Sequence, residues 1–190
     1  MDDYFEYLNQ RKQLSYYYRK KLLYPVYLSV LPGRGLEIGC GLGEFLQMAD
    51  QFIGVDVNQD VVDFCRNQKL DVRRGTATNL PFSEAQFDSV LLDNVFEHID
   101  QPEACLKETK RVMKQGGNLL IVVPNKKGWG MDPTHVTYWD EHNLPEIIEK
   151  AGFQVLQQRH FPLSSKKLGN WIWPYNTFYV LAKAIGSGSV

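Results

Sequence analysis

Three glycines alternate with single residues in Leu36-Glu37-Ile38-Gly39-Cys40-Gly41-Leu42-Gly43-Glu44-Phe45-Leu46. The pattern reads as a strand, a glycine turn and a helix. Residues without a Cβ let the backbone turn sharply and come within contact distance of a ligand at the carboxyl end of the first strand, where open α/β sheets bind their ligands. A second element, Gly54-Val55-Asp56-Val57-Asn58, puts Asp56 at the end of the next strand, where a carboxylate can accept bonds from both hydroxyls of a ribose. The dinucleotide fingerprint, Gly-x-Gly-x-x-Gly, leads a pyrophosphate to a helix N-terminus. Here Gly43 arrives one residue early and Glu44 stands in the place of the last glycine, where a carboxylate repels a pyrophosphate. With Glu37 adding negative potential, the loop points to an adenosine-like nucleoside that carries positive charge and no diphosphate.

The rest of the chain supplies the sheet that such a loop needs. Short apolar runs at Leu36 to Ile38, Phe52 to Asp56, Asp71 to Arg74, Phe87 to Asp93, Asn118 to Val123, Phe153 to Phe161 and Thr177 to Lys183 alternate with helical patterns. This predicts a Rossmann-like α/β three-layer sandwich: a mostly parallel seven-stranded sheet with helices on both faces. Asp100 and Glu103 read as a capping box for a helix that Gly116-Gly117 stops, and Asn143 and Glu146 as a second, closed by Gly152. From 124 to 140 no period emerges, and long irregular loops in compact domains are usually functional. The chain divides into an aromatic helical cap (1–34), the α/β domain (35–185) and a flexible Gly-Ser tail (186–190).

In the cap, Tyr4, Phe5, Tyr7, Tyr16, Tyr17, Tyr18, Tyr24 and Tyr27 interleave with Arg11, Lys12, Arg19, Lys20 and Lys21. Packing of an amphipathic helix, contact with substrate and stacking on nucleic acid are all open to such a segment. Charge weighs against the last: 21 Lys and Arg stand against 22 Asp and Glu, for a net charge of -1, which gives no field to recruit a polyanion. The longest apolar stretches, Ser89 to Leu92 and Leu119 to Val123, fall far short of the ~20 residues that span a bilayer. The acidic start, Met-Asp-Asp-Tyr-Phe-Glu, lacks the order of a secretory signal. Cys40, Cys65 and Cys105 are too widely spaced for a structural zinc site or a disulfide framework. A cytoplasmic location is expected, with no membrane span and no nucleic-acid partner; monomer and homodimer both remain open.

The glycine loop and the acid after the second strand resemble the class I S-adenosylmethionine-dependent methyltransferases, in particular the small-molecule group with a Glu/Asp-x-Gly-x-Gly-x-Gly motif. The resemblance runs from Leu36 to about Ala182. It implies that Glu37, Gly39, Cys40, Gly41 and Gly43 cradle the methionyl part of S-adenosylmethionine, that Asp56 takes the ribose hydroxyls and that Val57 lies against adenine. Gly75-Thr76-Ala77-Thr78-Asn79-Leu80-Pro81-Phe82 is similar to the family's loop beside adenine, with Thr76 where an Asp usually stands; Thr76 and Ala77 are the implied contacts. Phe87 to His98 resembles the fourth strand and the turn after it, where Asn94 passes the methionyl amine. S-adenosylhomocysteine is the implied product.

For the acceptor, the candidates are side chains on the loops after the fourth and fifth strands. His135 lies in Gly128-Trp129-Gly130-Met131-Asp132-Pro133-Thr134-His135-Val136-Thr137-Tyr138-Trp139, similar to an Asp-x-x-His-x-x-x-aromatic segment that faces the acceptor in related enzymes. It reads as a base or substrate contact, or as a loop residue bonded to Asp132. His98, after Glu97, is the second candidate. Trp129, Asp132, Tyr138 and Trp139 are expected at the acceptor. A subgroup acting on quinone-type phenols has Glu-x-x-Glu-His and can hold magnesium; Asn94 replaces its first acid here, and no metal is expected. The reaction implied is methyl transfer to a hydroxyl or amine of a small, sugar-like or other metabolite. The rivals are a non-catalytic protein of the same fold that binds S-adenosylmethionine, and a nicotinamide or flavin oxidoreductase.

Overall fold

The computed structural model describes residues 13–162 and 177–186. Tyr4, Phe5, Tyr7, Arg11 and Lys12 of the aromatic segment, and residues 187–190 of the tail, lie outside the described residues. Seven strands form one sheet: β1 (Gly35–Ile38), β2 (Phe52–Asp56), β3 (Val72–Arg74), β4 (Phe87–Asp93), β5 (Met113–Pro124), β6 (Phe153–Phe161) and β7 (Thr177–Ala184). Their order is β3-β2-β1-β4-β5-β7-β6. Strand β7 runs antiparallel to β5 and β6, and the other pairs are parallel. The chain leaves β1 toward β2 on one side, and β4 returns on the other. That reversal opens a crevice at the carboxyl ends of β1 and β4, the place where this architecture binds ligands.

Helices cover both faces. At the N-terminus, α1 (Gln13–Tyr18) passes through a wide helical turn at Arg19–Leu23 into α2 (Tyr24–Val30); α3 (Gln59–Asn67), α4 (Pro102–Val112), the single turn α5 (Lys126–Trp129) and α6 (Asn143–Lys150) follow. Alternation along the strands sorts side chains between two cores. Leu36, Ile38, Val90 and Leu92 face α4 and α6 with Leu106, Leu144 and Ile148. Leu91, Leu120 and Val122 face the other way, onto Leu23, Tyr24, Tyr27 and Phe45. Glu37 and Asp93, one residue out of phase with Ile38 and Leu92, are thereby turned toward the N-terminal helices.

Four local expectations are corrected. The helix expected after the glycine loop is a single 3₁₀ turn at Leu46–Met48; residues 39–51 must carry the chain back to β2, which leaves no room for a longer one. The face it would have covered is roofed by α2, where Tyr24 stands edge-on to Phe45 at 5.4 Å. Asp100 caps nothing: α4 begins at Pro102 after Gln101, since proline has no N–H to satisfy and a φ already set for a first turn. That helix stops at Val112, not at Gly116-Gly117, because buried Met113 already pairs with Phe87 before the register resumes at Asn118. At α6 the cap is Asp140, whose Oδ1 accepts from the His142 and Asn143 amides at 2.9 and 3.1 Å, while Asn143 Oδ1 accepts from the Asp140 amide at 2.7 Å.

Candidate functional site

The glycine loop fills the crevice at the end of β1. Gly39 has φ +71, and a Cβ there would stand 2.5 Å from Val95 Cγ2, so this position excludes any side chain. Gly39 and Cys40 donate their amides to Val55 O at 2.7 and 3.0 Å, which ties the loop to β2. Asp56 completes the tie: Oδ2 accepts from Gly41 N at 3.1 Å and Oδ1 from Asn58 N at 3.0 Å. A carboxylate has about four lone-pair sites, so Asp56 keeps acceptor capacity for hydroxyls. Burial draws its pKa up against these backbone bonds. Asn58, not Asp56, caps α3, with its side-chain oxygen accepting from the Asp60 and Val61 amides.

Around Gly39, Cys40 and Gly41 a small polar pocket is walled by Arg19, Tyr24, Glu44, Asp93, Asn94 and Val95. Arg19 is its cation. Nη2 lies 2.7 Å from Asp93 Oδ2, Nε donates to the Tyr24 hydroxyl at 2.9 Å, and Glu44 Oε2 is 3.5 Å away. The Tyr24 hydroxyl donates in turn to Glu44 Oε2 at 3.2 Å. Glu37, 4% exposed, adds a third acid whose Oε2 has no hydrogen-bond partner among the described residues. Burial, and then the neighbouring Asp93, push its pKa well above the ordinary carboxylate range. Asp93 and Glu44 line the pocket with Arg19, and buried Glu37 behind it, one oxygen lacking a donor among the described residues, adds a third carboxyl close enough to interact with Asp93 and Arg19; this excess of acid favours a cationic ligand. A diphosphate would meet acids here and no helix N-terminus.

Of the remaining donor-side residues, Asn94 lines this pocket, and Val57, Thr76 and Ala77 are not among its lining residues. Asn94, φ +55, directs Nδ2 to Asp93 Oδ1 at 2.8 Å. Val57 is 59% exposed beyond β2. Thr76 is exposed, its hydroxyl 3.3 Å from that of Thr78, and Ala77 packs on the core below.

A second cluster follows directly along the chain. The 3₁₀ turn Phe96–His98 leaves β4, and its Glu97 carbonyl accepts from the Val136 and Thr137 amides at 2.9 and 3.2 Å. This pins the long loop after β5 to the end of β4. His135 is thereby brought beside His98, ring centroids 4.6 Å apart. His135 Nδ1 lies 2.6 Å from Trp129 O and Nε2 lies 3.8 Å from Glu97 Oε1. His98 Nδ1 lies 3.2 Å from the Thr134 hydroxyl and 3.3 Å from its carbonyl. Asp132 accepts from that hydroxyl at 2.6 Å, and its backbone carbonyl accepts from the His135 amide at 3.4 Å, a hydrogen bond between the two residues of the kind the sequence left open. Glu97 is 1% exposed, and burial pushes its pKa up to about 8.

Of the expected aromatic wall, Trp129 and Tyr138 stand edge to face at 5.8 Å, with Trp129 stacked on His135. Trp139 belongs to the core: it is 6% exposed, and its ring lies on Phe96 at 5.0 Å. In the sequence, Arg19 and Tyr24 stand only as part of a cap open to packing, substrate contact or stacking, and Glu97 is assigned no part. The hint was present in the basic residues set among the cap's tyrosines and in an acid next to His98.

Residues 36–121 match the family model described as a methyltransferase domain. A probable S-adenosylmethionine-dependent methyltransferase of Mycolicibacterium smegmatis is 30% identical over 132 residues, 63% of this chain and 51% of that protein. The chain spans about half the length of the curated relatives it matches. Among solved structures, a Haloferax volcanii protein in complex with the Trm112 methyltransferase activator superposes with a TM-score of 0.80 at 17% identity, covering 100% of this chain and 97% of that one. An S-adenosylmethionine-dependent methyltransferase from Archaeoglobus fulgidus gives 0.73 at 24% identity, covering 94% and 96%. At these identities the superpositions establish a shared fold.

Proposed function

From the premise that residues 36–121 form a methyltransferase domain of the class I, S-adenosylmethionine-dependent kind, we propose that this protein methylates a hydroxyl or amine of a small-molecule acceptor held beside His98 and His135. When bound, S-adenosylmethionine supplies a methyl group on a sulfonium. The observation that carries the reading is the acid-rich crevice at β1: a buried Glu37 oxygen with no hydrogen-bond partner among the described residues, and the excess of carboxyls over Arg19.

Each residue then has a task. Glu37 accepts from an ammonium, and the loop from Gly39 through Cys40 and Gly41 to Gly43 lets the methionyl chain lie against backbone. Arg19, held by Asp93, offers N–H groups to a carboxylate. Asp56 accepts from ribose hydroxyls, Val57 covers one adenine face, and Thr76, Ala77 and Asn94 line the rim. Displacement at a sulfonium needs mainly in-line placement of the nucleophile. Trp129, Asp132 and Tyr138 shape the acceptor's seat, and His135 and His98 assist loss of its proton.

No helix among the described residues is long and apolar enough to cross a membrane, and the three cysteines are buried and unpaired. Free thiols of this kind fit a reducing compartment, which favours action in the cytoplasm.

The test begins with S-adenosylhomocysteine and titration calorimetry. Hydrogen bonds to a charged acceptor contribute about 1.5–3 kcal/mol, so Asp56→Ala is expected to weaken binding roughly ten- to a hundred-fold at ~1.4 kcal/mol per decade. An unchanged dissociation constant would remove Asp56 from the ribose. Screening of hydroxyl and amine acceptors for methylated product tests the second half. Tight cofactor binding with no turnover across the screen would favour the non-catalytic reading.

A further inference from the structure

We propose that Cys40 and Cys65 form an oxidation site: under hydrogen peroxide their sulfurs join in a disulfide that staples the glycine loop to α3 and closes the crevice at β1 to its ligand. Cys40 lies inside the loop and Cys65 on α3. The fold buries both in one apolar cluster, at 5% and 0% exposure.

Their sulfurs occupy the same small space between loop and helix. Cys65 Sγ lies 3.3 Å from Gly41 O, to which its thiol donates, and 3.2 Å from where a Cβ on Gly43 would stand. Cys40 Sγ lies 2.8 Å from where a Cβ on Gly54 would stand, and Leu46 Cδ1 borders both of those glycines. The Cys40 thiol is hydrogen-bonded to the Cys65 sulfur, so a chain of two S–H groups ends on the loop carbonyl. That contact draws the Cys65 pKa down against its burial, toward the thiolate, which is the attacking form. Cys105 belongs to the core on the other face of the sheet and serves as an internal control.

Access is one-sided. Cys40 lines the crevice beside Gly39 and Gly41, so a peroxide entering there meets its sulfur first. That sulfur attacks one peroxide oxygen, the O–O bond breaks, and the departing hydroxide takes the thiol proton and leaves as water. The Cys65 sulfur then attacks the sulfenic acid so formed. The S–S bond forms, the S–O bond breaks, and the hydroxyl leaves with the Cys65 proton as a second water. Two thiols and one peroxide thus give one disulfide and two waters.

The loop must feel the closure. A disulfide holds its sulfurs at about 2.05 Å, well inside the contact distance of two thiols, and in a close-packed interior the backbone has to follow. The thiol bond to Gly41 O is lost. The Cys40 and Gly41 amides, which donate to Val55 O and Asp56 Oδ2 at 3.0 and 3.1 Å, are drawn toward α3. Asp56 is the ribose acceptor of the proposed function, so the loss of affinity rests on that reading; the disulfide itself does not.

The experiment treats the full chain with hydrogen peroxide, digests it without reductant and maps the peptides by mass spectrometry, with S-adenosylhomocysteine affinity measured by calorimetry before and after. Peptides joined through Cys40 and Cys65 are expected in most molecules, with Cys105 still a free thiol. Affinity should fall at least tenfold and return with dithiothreitol, and S-adenosylhomocysteine added first should slow the cross-link. In Cys65→Ser, whose hydroxyl keeps a donor for Gly41 O, affinity before oxidation should stay within twofold. With no resolving thiol, Cys40 should then pass to the sulfinic acid, which dithiothreitol does not reverse. If that variant does not fold, Cys65→Ala carries the comparison. Absence of the joined peptides, a cross-link through Cys105 instead, or full cross-linking with undiminished affinity overturns the inference. A reduced protein that does not bind S-adenosylhomocysteine would sink the proposed function, while the peptide map alone still decides the oxidation site.

Discussion

The pocket at β1 and the cluster after β4 are built from similar materials and finished differently. Asp93, Glu44 and the Tyr24 hydroxyl are joined through Arg19, and Tyr24 donates to Glu44, while one oxygen of Glu37 has no donor among the described residues. In the second region neither oxygen of Glu97 is hydrogen-bonded among the described residues, while the two histidines beside it are held by carbonyl and hydroxyl oxygens. The first region carries its own counter-ion and reads as a prearranged seat. The second has its electron pairs turned inward and relies on whatever enters to balance them. Buried polar groups cost little when paired and much when not, so the first should govern stability and affinity, and the second turnover.

The largest expected effect is at the second region. His135→Ala should lower turnover roughly a hundred- to ten-thousand-fold, the range that a positioned proton-handling group contributes, with S-adenosylhomocysteine affinity nearly intact by calorimetry. Equal loss of both would mean that the 124–140 loop folds over the cofactor and that the two regions are one.

Next comes Arg19→Met, which leaves Asp93 buried without its partner. Breaking such a pair costs about 3–5 kcal/mol, read as a lower urea midpoint; an unchanged midpoint would show that the pocket does not depend on its internal cation.

Glu37→Gln is smaller and changes sign with conditions. Folding raises the pKa of Glu37, so its ionisation opposes folding as pH rises above the unfolded value near about 4.3. The glutamine variant should therefore melt higher at neutral pH, with about 2–4 °C for each kcal/mol recovered, and show no gain below about pH 4. Cofactor affinity should fall several-fold in the same protein. Higher stability with undiminished affinity would take Glu37 out of the ligand's reach.

How much of this could be read from the chain differs between the same regions. The strands were legible: Phe52 to Asp56 and Phe87 to Asp93 end where the apolar runs end, because central strands of a covered sheet leave continuous hydrophobic stretches bounded by turn residues, and the edge strand Phe153 to Phe161 keeps the same bounds with apolar and polar residues mixed along it. The glycine loop and Asp56 were legible too, since backbone geometry restricts which residues can stand there. Caps were less so: Asp100 and Glu103 have the right spacing, but Pro102 starts the helix, and Asp140 outcompetes Asn143. The ion pair of Arg19 with Asp93 spans 74 positions, and no local period records it. Glu97 carries no local mark of burial in the sequence; the loop that returns through Val136 and Thr137 to its backbone carbonyl comes from 39 positions and more downstream.

Because the first crossover carries one 3₁₀ turn, the wall of the crevice at β1 is borrowed from the segment upstream of the sheet. Arg19 and Tyr24 stand outside the stretch that the methyltransferase-domain model recognises. A protein trimmed to that stretch would expose Phe45 and Phe52 to water and lose the guanidinium that offsets its acids. The boundary drawn by homology and the boundary drawn by chemistry thus fall in different places, and a minimal version of this domain would have to start before its first strand.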